Sequence, residues 1–303
     1  MSIEMTTPRV QDLDDVAAVL SGWQHDAGPL HLHPGDLGWH SSRGAARTAA
    51  SLRAWSRNGR TLALGLLDGP DGLLRMALDP DLRDDEELCR QLVADVDDPS
   101  RGVLDAGAAI VEARGAERFS QLLSEEGWQP AEPWTPLHRD LSSGVDAERV
   151  RGAGVRVRIE VIDPDGADAW VAVHWSAFKG TPLGEEERRE VRQRWLTMAD
   201  GPFYHRARSL AAFDSDGNAV AVTTVWSAGP GRPGLVEPMG VHRDHRGLGY
   251  GVAISVAAAS ALREMGSSSA LVCAESSNSA AVSTYVAAGF TAREQVADLQ
   301  RGA

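Results

Sequence analysis

A mixed α/β fold used twice in tandem is the fold class this 303-residue chain predicts, and it follows from sequence observations of three kinds. An apolar stretch, Leu235 to Val241, runs into a glycine-rich turn, His245-Arg246-Gly247-Leu248-Gly249-Tyr250-Gly251, which opens an Ala-rich helix. Segments of strand period alternate with segments of helix period from Val155 onward. The second half of the chain also overlays on the first at a shift of about 162 or 163 residues, the signature of an internal repeat. Length agrees, because about 100 to 200 residues make one domain.

The elements follow in chain order. In the first copy, Leu78-Asp79-Pro80-Asp81-Leu82-Arg83 falls on Val241 to Arg246 and predicts a strand end followed by a turn. Asp84-Asp85-Glu86-Glu87 then stands where the second copy has its glycines. Carboxylates suit a helix N-terminus but repel an anion there. Gly127-Trp128 falls on Gly289-Phe290, each pair closing an Ala/Leu-rich helix, and Ala116 and Leu123 fall on Asn278 and Tyr285. The polar, Gly-bearing stretch from Leu141 to Gly154 reads as a connection and divides the chain into units 1–145 and 146–303.

In the second copy, Val155 to Val161 alternates apolar and charged residues as a half-buried strand does. Asp163 or Asp165 is placed to cap a helix around Ala167 to Phe178, and Glu185 to Met198 forms another. Leu210 to Phe213 and Ala219 to Trp226 read as a hairpin turning on Asp216-Gly217-Asn218. After the Leu235–Val241 strand and the Ala-rich helix come a strand from Ala270 to Ala274 and a helix from Ser279 to Ala288.

Composition narrows the function classes. A formal charge of −13 argues against nucleic-acid and anionic-membrane partners, which need clustered Lys and Arg, and is compatible with a cationic or amine-bearing substrate. No window approaches the ~18 apolar residues of a membrane span, and Met1 to Arg9 has no basic flank ahead of an apolar core. A soluble cytoplasmic protein is expected. Cys89 and Cys273 are too far apart for a disulfide framework or zinc spacing and read as buried thiols. His31, His33 and His40 form a His-rich stretch without a clear third ligand, so no metal is expected. Most of the nine Trp sit among apolar neighbours and read as core.

The glycine turn is an anion cradle: without side chains, successive N–H groups aim at one ligand and the helix N-terminus adds partial positive charge. It is not the Rossmann fingerprint G-x-G-x-x-G, and it lacks the Lys-Ser/Thr of a P-loop. Its order is Arg-x-x-Gly-x-Gly, Arg246 through Gly249 to Gly251. With Asn278, Tyr285 and Gly289-Phe290 following at the expected separation, residues 155–292 resemble the GCN5-related N-acetyltransferase (GNAT) family, and the first half does so weakly. The resemblance implies two tandem domains of that family's mixed α/β fold, the first degenerate and unable to bind coenzyme A, the second binding acetyl-coenzyme A.

It further implies transfer of an acetyl group to a primary amine by direct attack through a tetrahedral intermediate, with no metal. Met239, Gly240 and Val241 would lie along the acetyl-pantetheine arm on a splayed strand, with Pro238 and Gly240 suited to a bulge. Arg246, Gly247, Leu248, Gly249, Tyr250 and Gly251 would hold the pyrophosphate, and Asn278 would reach the coenzyme or brace the adjoining strand. Tyr285 is the candidate general acid toward the thiolate, or else packs its ring on the sheet. Glu237, a carboxylate inside an apolar strand, is the candidate general base. A role as substrate-charge partner or ordinary ion pair stays open for it, and His242 ranks below it.

Acceptor specificity is expected from Trp175 to Trp195, with Lys179 on a flexible lip, and from Pro202-Phe203-Tyr204-His205. A small-molecule amine is the expected partner. Acceptors of the mycothiol-synthase, antibiotic-amine or protein N-terminal kind are alternatives, as is a non-catalytic acyl-coenzyme A sensor. A monomer or weak dimer is expected.

Overall fold

The computed structural model describes residues 2–69, 72–144 and 157–302. The first half runs β1 (Glu4–Thr6), α1 (Leu13–Trp23), α2 (Pro34–His40), α3 (Ala45–Ala50), β2 (Leu52–Arg57), β3 (Arg60–Leu67), β4 (Leu73–Leu78), α4 (Glu86–Asp97), β5 (Ala109–Glu112), α5 (Glu117–Glu125) and β6 (Gln129–Asp140). The second runs β7 (Arg158–Val161), α6 (Ala167–Phe178), α7 (Glu185–Ala199), β8 (Ala207–Phe213), β9 (Ala219–Ser227), β10 (Gly234–Val241), α8 (Tyr250–Glu264), β11 (Ser269–Glu275), α9 (Ser279–Ala287), β12 (Thr291–Ala292) and β13 (Val296–Arg301).

Local chemistry sets these boundaries. Asp163 accepts from the N–H groups of Asp165 and Gly166 and starts the turn that leads into α6. Gly217 takes φ +84° in the β8–β9 turn, and Asp214 accepts from Asn218 N–H at 2.8 Å. The hairpin strand begins at Ala207 rather than Leu210. Val155 and Arg156, placed in the first strand by sequence, and most of the expected connection lie outside the described residues.

One mixed sheet takes in all these strands, in the order β1-β2-β3-β4-β5-β13-β6-β11-β10-β9-β8-β7, with β12 on β6. The halves exchange their last strands: β13 lies between β5 and β6, and β6 pairs with β11. Val296 faces Trp134 in the β13–β6 ladder. The repeat makes those two residues equivalent, so the local twofold relating the halves passes between them.

Each half keeps its own core on one face, under α4 and α5 around Phe119 and Trp128, and under α8 and α9 around Ile254 and Leu262. The other face carries a single core shared by both halves, in which α1 and α2 meet α6 and α7 around Leu20, Leu37, Trp170 and Trp226. With both faces covered, β9 is buried along nearly its whole length, which accounts for its continuous apolar run. Helix α2 approaches so closely that a Cβ on Gly38 would lie 2.1 Å from the Trp226 ring, and one on Gly35 2.6 Å from Trp226 Cβ.

Candidate active site

Strand β10 pairs with β11 only at Gly234–Ala270 and Leu235–Leu271. Beyond Leu235 the two parallel strands diverge, while β10 stays paired to β9 through an irregularity between Val236 and Met239. That is the bulge Pro238 suggested. Within it, Trp226 Nε1 donates to Glu237 O at 2.8 Å and Thr223 Oγ1 to Pro238 O at 2.9 Å, so side chains of β9 hold what the ladder does not.

A cleft of about 630 Å³ opens at the divergence, lined by Glu237, Met239, Cys273, Asn278 and Tyr285 of the second half. Arg75, Glu112 and Arg114 of the first half line it too, with Asp298 of β13. The mirror divergence of β4 from β5, paired only from Leu73–Ile110 to Arg75–Glu112, faces the same space.

Glu237 and Tyr285 therefore share one cleft. The Glu237 side chain is about one-third exposed, and among the described residues no hydrogen bond reaches its carboxylate. Burial raises its proton affinity, Arg75 opposes that, and Glu112 and Asp68 add to it. Tyr285 is buried, with its ring edge-on to Phe290 at 5.6 Å. Burial first and then Glu237 hold its phenol well above the usual range, so it is a neutral donor at pH 7. Its hydroxyl has no hydrogen-bond partner among the described residues.

At the far end of β10, Gly247 and Gly249 take φ of +77° and +84°. Ala253 N–H to Gly249 O is the first main-chain bond of α8. The N–H groups of Tyr250, Gly251 and Val252 therefore have no acceptor inside the helix, no side chain caps it, and a Cβ on Gly247 would meet open space. In the first half, Asp85 fills the corresponding position: its carboxylate accepts from Leu88 N–H at 2.9 Å and pairs with Arg57 at 3.4 Å.

Several expected contributors take other roles. Gly251 is required by packing, since a Cβ there would lie 2.8 Å from Thr284 Cγ2 on α9. Gly240 lets α6 approach, with Ala177 Cβ 2.7 Å from its would-be Cβ. Val241 packs beside Gly251, while Leu248 is exposed. Arg246 donates to Ala177 O at 2.9 Å, tying the loop to the end of α6. Asn278 caps α9, its side chain accepting from Ala281 N–H at 3.1 Å, while its main-chain N–H donates to Glu275 O at the end of β11 at 2.9 Å. His242 sits in the turn after β10 and does not line the cleft.

Of the expected acceptor segments only Phe178 reaches the cleft, and Phe203 is in the core. Cys273 lines the cleft instead of being fully buried, with Arg114 Nη1 3.5 Å from its sulfur; burial pushes its thiol up to about 12. His31, His33 and His40 are buried and bonded to Gln24, to Gly35 N–H with Pro233 O, and to Thr48.

The charged lining was not anticipated. Asp68, Arg75, Glu112, Arg114 and Asp298 form a continuous string of ion pairs at 3.2, 2.9, 3.4 and 2.9 Å. Each is a charge inside an apolar strand or at its end, the same signal that singled out Glu237. Asp36 of α2 joins at 4.0 Å from Arg75, and burial holds its carboxyl above the ordinary range.

Residues 168–290 match the acetyltransferase (GNAT) family. Mycothiol acetyltransferase of Geodermatophilus obscurus is 31% identical over 179 residues, covering 57% of this chain and 56% of that protein. The counterpart from Thermobispora bispora is 28% identical over 141 residues, 45% and 46% of the two chains. This chain thus spans about half the length of these curated relatives. Among solved structures, a tandem GNAT protein from the clavulanic acid biosynthesis pathway superposes with TM-score 0.64 at 18% identity, covering 99% of this chain and 98% of its own. An acetyltransferase of the GNAT family from Colwellia psychrerythraea gives 0.60 at 16%, with 99% and 98% covered. At these identities the two structures bear on fold alone.

Proposed function

From the match of residues 168–290 to the acetyltransferase (GNAT) family, we propose that the second half of the chain moves an acetyl group from acetyl-coenzyme A to the primary amine of a small molecule held between the halves. The observation that carries this reading is the cleft at the β10–β11 divergence, where a carboxylate and a neutral phenol face the same space at the end of the strand leading to the glycine turn. Acetyl-coenzyme A supplies the activated acetyl group.

The rest is done by side chains and main chain of this protein. The unpaired N–H groups at the start of α8 and the open space at Gly247 fit a pyrophosphate, and the edge of β10 at Met239 fits the pantetheine arm. Glu237 takes the proton of the acceptor ammonium, through a water, and Tyr285 gives its proton to the departing thiolate. We assign these roles within a division into units 1–145 and 146–303, the first not binding coenzyme A because Asp85 occupies its helix start. The relatives' name, mycothiol acetyltransferase, favours an amine on a thiol-bearing small molecule over an antibiotic amine or a protein N-terminus.

Calorimetric titration of acetyl-coenzyme A into wild type and Gly249→Glu tests the reading, followed by thiol release with a panel of amines. One site lost in the variant and an amine-dependent release of thiol are expected. No binding refutes the reading, two sites refute the assignment of the first half, and binding without release with any amine leaves a sensor.

A further inference from the structure

Across the cleft from Glu237, on the strand of the first half that corresponds to β10, stands a cation. Strand β4 pairs with β5 from Leu73 to Arg75 and β10 with β11 at Gly234 and Leu235, so Arg75 and Glu237 stand beside the points where the two pairings end. Both line one cleft, and Arg75 Nη2 lies 3.9 Å from Glu237 Oε1. We propose that Arg75 is a positioning residue for Glu237, a cation lent by the first half that keeps the acetyl-transfer base of the second half ionised and aimed into the cleft. The inference rests on the acetyl-transfer reading above.

Arg75 is anchored without Glu237. Its Nε is 3.2 Å from Asp68 and its Nη1 2.9 Å from Glu112. Glu112 is itself shared with Arg114, which Asp298 holds through two hydrogen bonds. No side chain in this string is more than 19% exposed, so the guanidinium cannot swing out to solvent. Glu237 has no other cation within 4.0 Å among the described residues.

The separation itself matters. A bidentate pair would occupy the carboxylate lone pairs, whereas a guanidinium at 3.9 Å supplies its field and leaves both oxygens able to take a proton. The other charged and titratable groups lining the cleft or acting on Glu237 are Asp36 from α2, Asp68 after β3, Glu112 from β5, Arg114 beyond it, Glu132 from β6, Cys273 and Glu275 from β11, Tyr285 from α9 and Asp298 from β13. Most of these disfavour a second negative charge, and Arg75 is the cation closest to offsetting them.

The test is the pH dependence, between about pH 5 and 9, of kcat/KM for thiol release from acetyl-coenzyme A. Wild type, R75M and R75K are assayed with the fastest of cysteine methyl ester, glucosamine, tobramycin and spermidine. Losing the cation raises the proton affinity of Glu237, so the acidic limb should move up by roughly one pH unit in R75M and return toward wild type in R75K. The acetyl-coenzyme A Kd should stay unchanged. R75Q, which can still bond Glu112, carries the same test should R75M not fold.

An equal loss at every pH with the limb unmoved overturns the proposal and reduces Arg75 to a structural brace. Separately, urea unfolding of wild type, R75M, E237Q and the double variant should be non-additive, and additivity overturns the pairing. Thiol release with none of the amines overturns the acetyl-transfer reading and the catalytic role with it. The unfolding cycle is independent of activity, so the two failures are told apart.

Discussion

Replacing Gly38 with Ala puts one methyl group where the halves meet, and its consequences can be worked from the contact geometry. A Cβ at Gly38 would lie 2.1 Å from Cζ3 of Trp226, against 3.4 Å for an ordinary contact, so helix or ring must move by roughly 1.3 Å. The ring has nowhere to go, being 1% exposed in the core that both halves share. Overpacking of this kind costs about 1–3 kcal/mol. Because Trp226 Nε1 also holds Glu237 O, a displaced ring weakens a hydrogen bond worth about 0.5–1.5 kcal/mol. A total near 3 kcal/mol should lower the melting temperature by about 5 °C, at roughly 2.1 cal/mol/K of unfolding entropy per residue over 303 residues. Displacing the strand that bears Glu237 by up to about 1 Å should lower kcat by as much as 10²-fold. Differential scanning calorimetry and steady-state kinetics read the two effects. A melting temperature within about 1 °C of wild type refutes the packing argument, and a destabilised variant with unchanged kcat refutes the link from helix docking to Glu237.

Tyr285→Phe keeps the ring contact with Phe290 and removes only the proton donor, so kcat should fall by about 10²-fold or more with acetyl-coenzyme A affinity unchanged; an unchanged kcat would leave Tyr285 a packing residue. Burial pushes the Cys273 and Cys89 thiols up to about 12 and 11, so a disulfide reagent at about pH 8 should label native protein slowly and urea-unfolded protein fast, although Cys273 lines the cleft. Prompt labelling of one thiol in the native state would contradict this. His33 is held at about 4 by burial, below the ~6.5 of an unfolded chain, so the native state binds fewer protons and stability present above about pH 6.5 is lost as pH falls toward 4. Its Nδ1 accepts from Gly35 N–H and its Nε2 faces Pro233 O, so protonation costs the cap. On the order of 3 kcal/mol is at stake, and His33→Asn should flatten the decline in urea midpoints over that range, whereas an identical slope would exclude His33 as its source.

The parts of the fold legible in the sequence are those with local causes. Helices α6, α7 and α9 and strands β10 and β11 fall where capping residues, glycines and apolar period put them, and Pro238 announced its bulge. The overlay of the copies was also legible: the turns at Pro80–Leu82 and Arg243–His245 correspond, and Ala116 and Asn278 each stand just before a helix. What the sequence left hidden is non-local. Nothing near Val296 says that β13 will lie beside β5, because strand exchange depends on pairing energies between segments far apart in the chain. The segments expected to set acceptor specificity, Trp175 to Trp195 and Pro202 to His205, belong to the second half alone. Arg75, Glu112, Arg114 and Asp298 instead reach the cleft through the twofold and the exchanged strand.

Strand exchange also shows what each half supplies to the structure of the other. Without the first half, β11 would lose β6 along its whole length, from Ser269–Asp140 to Glu275–Trp134. It would then expose a seven-residue ladder edge on the strand that carries Cys273 and leads to Asn278. Without the second half, β5 would lose β13, and Arg114 would lose Asp298, which holds it through two hydrogen bonds, and keep only the 3.4 Å pair with Glu112, itself shared with Arg75. Each half is thus unfinished alone, in ladder and in charge. Asp85 caps the helix start of the first half, while Arg75 lines the cleft 3.9 Å from Glu237. On the reading proposed above, the first half acts on the chemistry of its neighbour through the strands and charges it contributes.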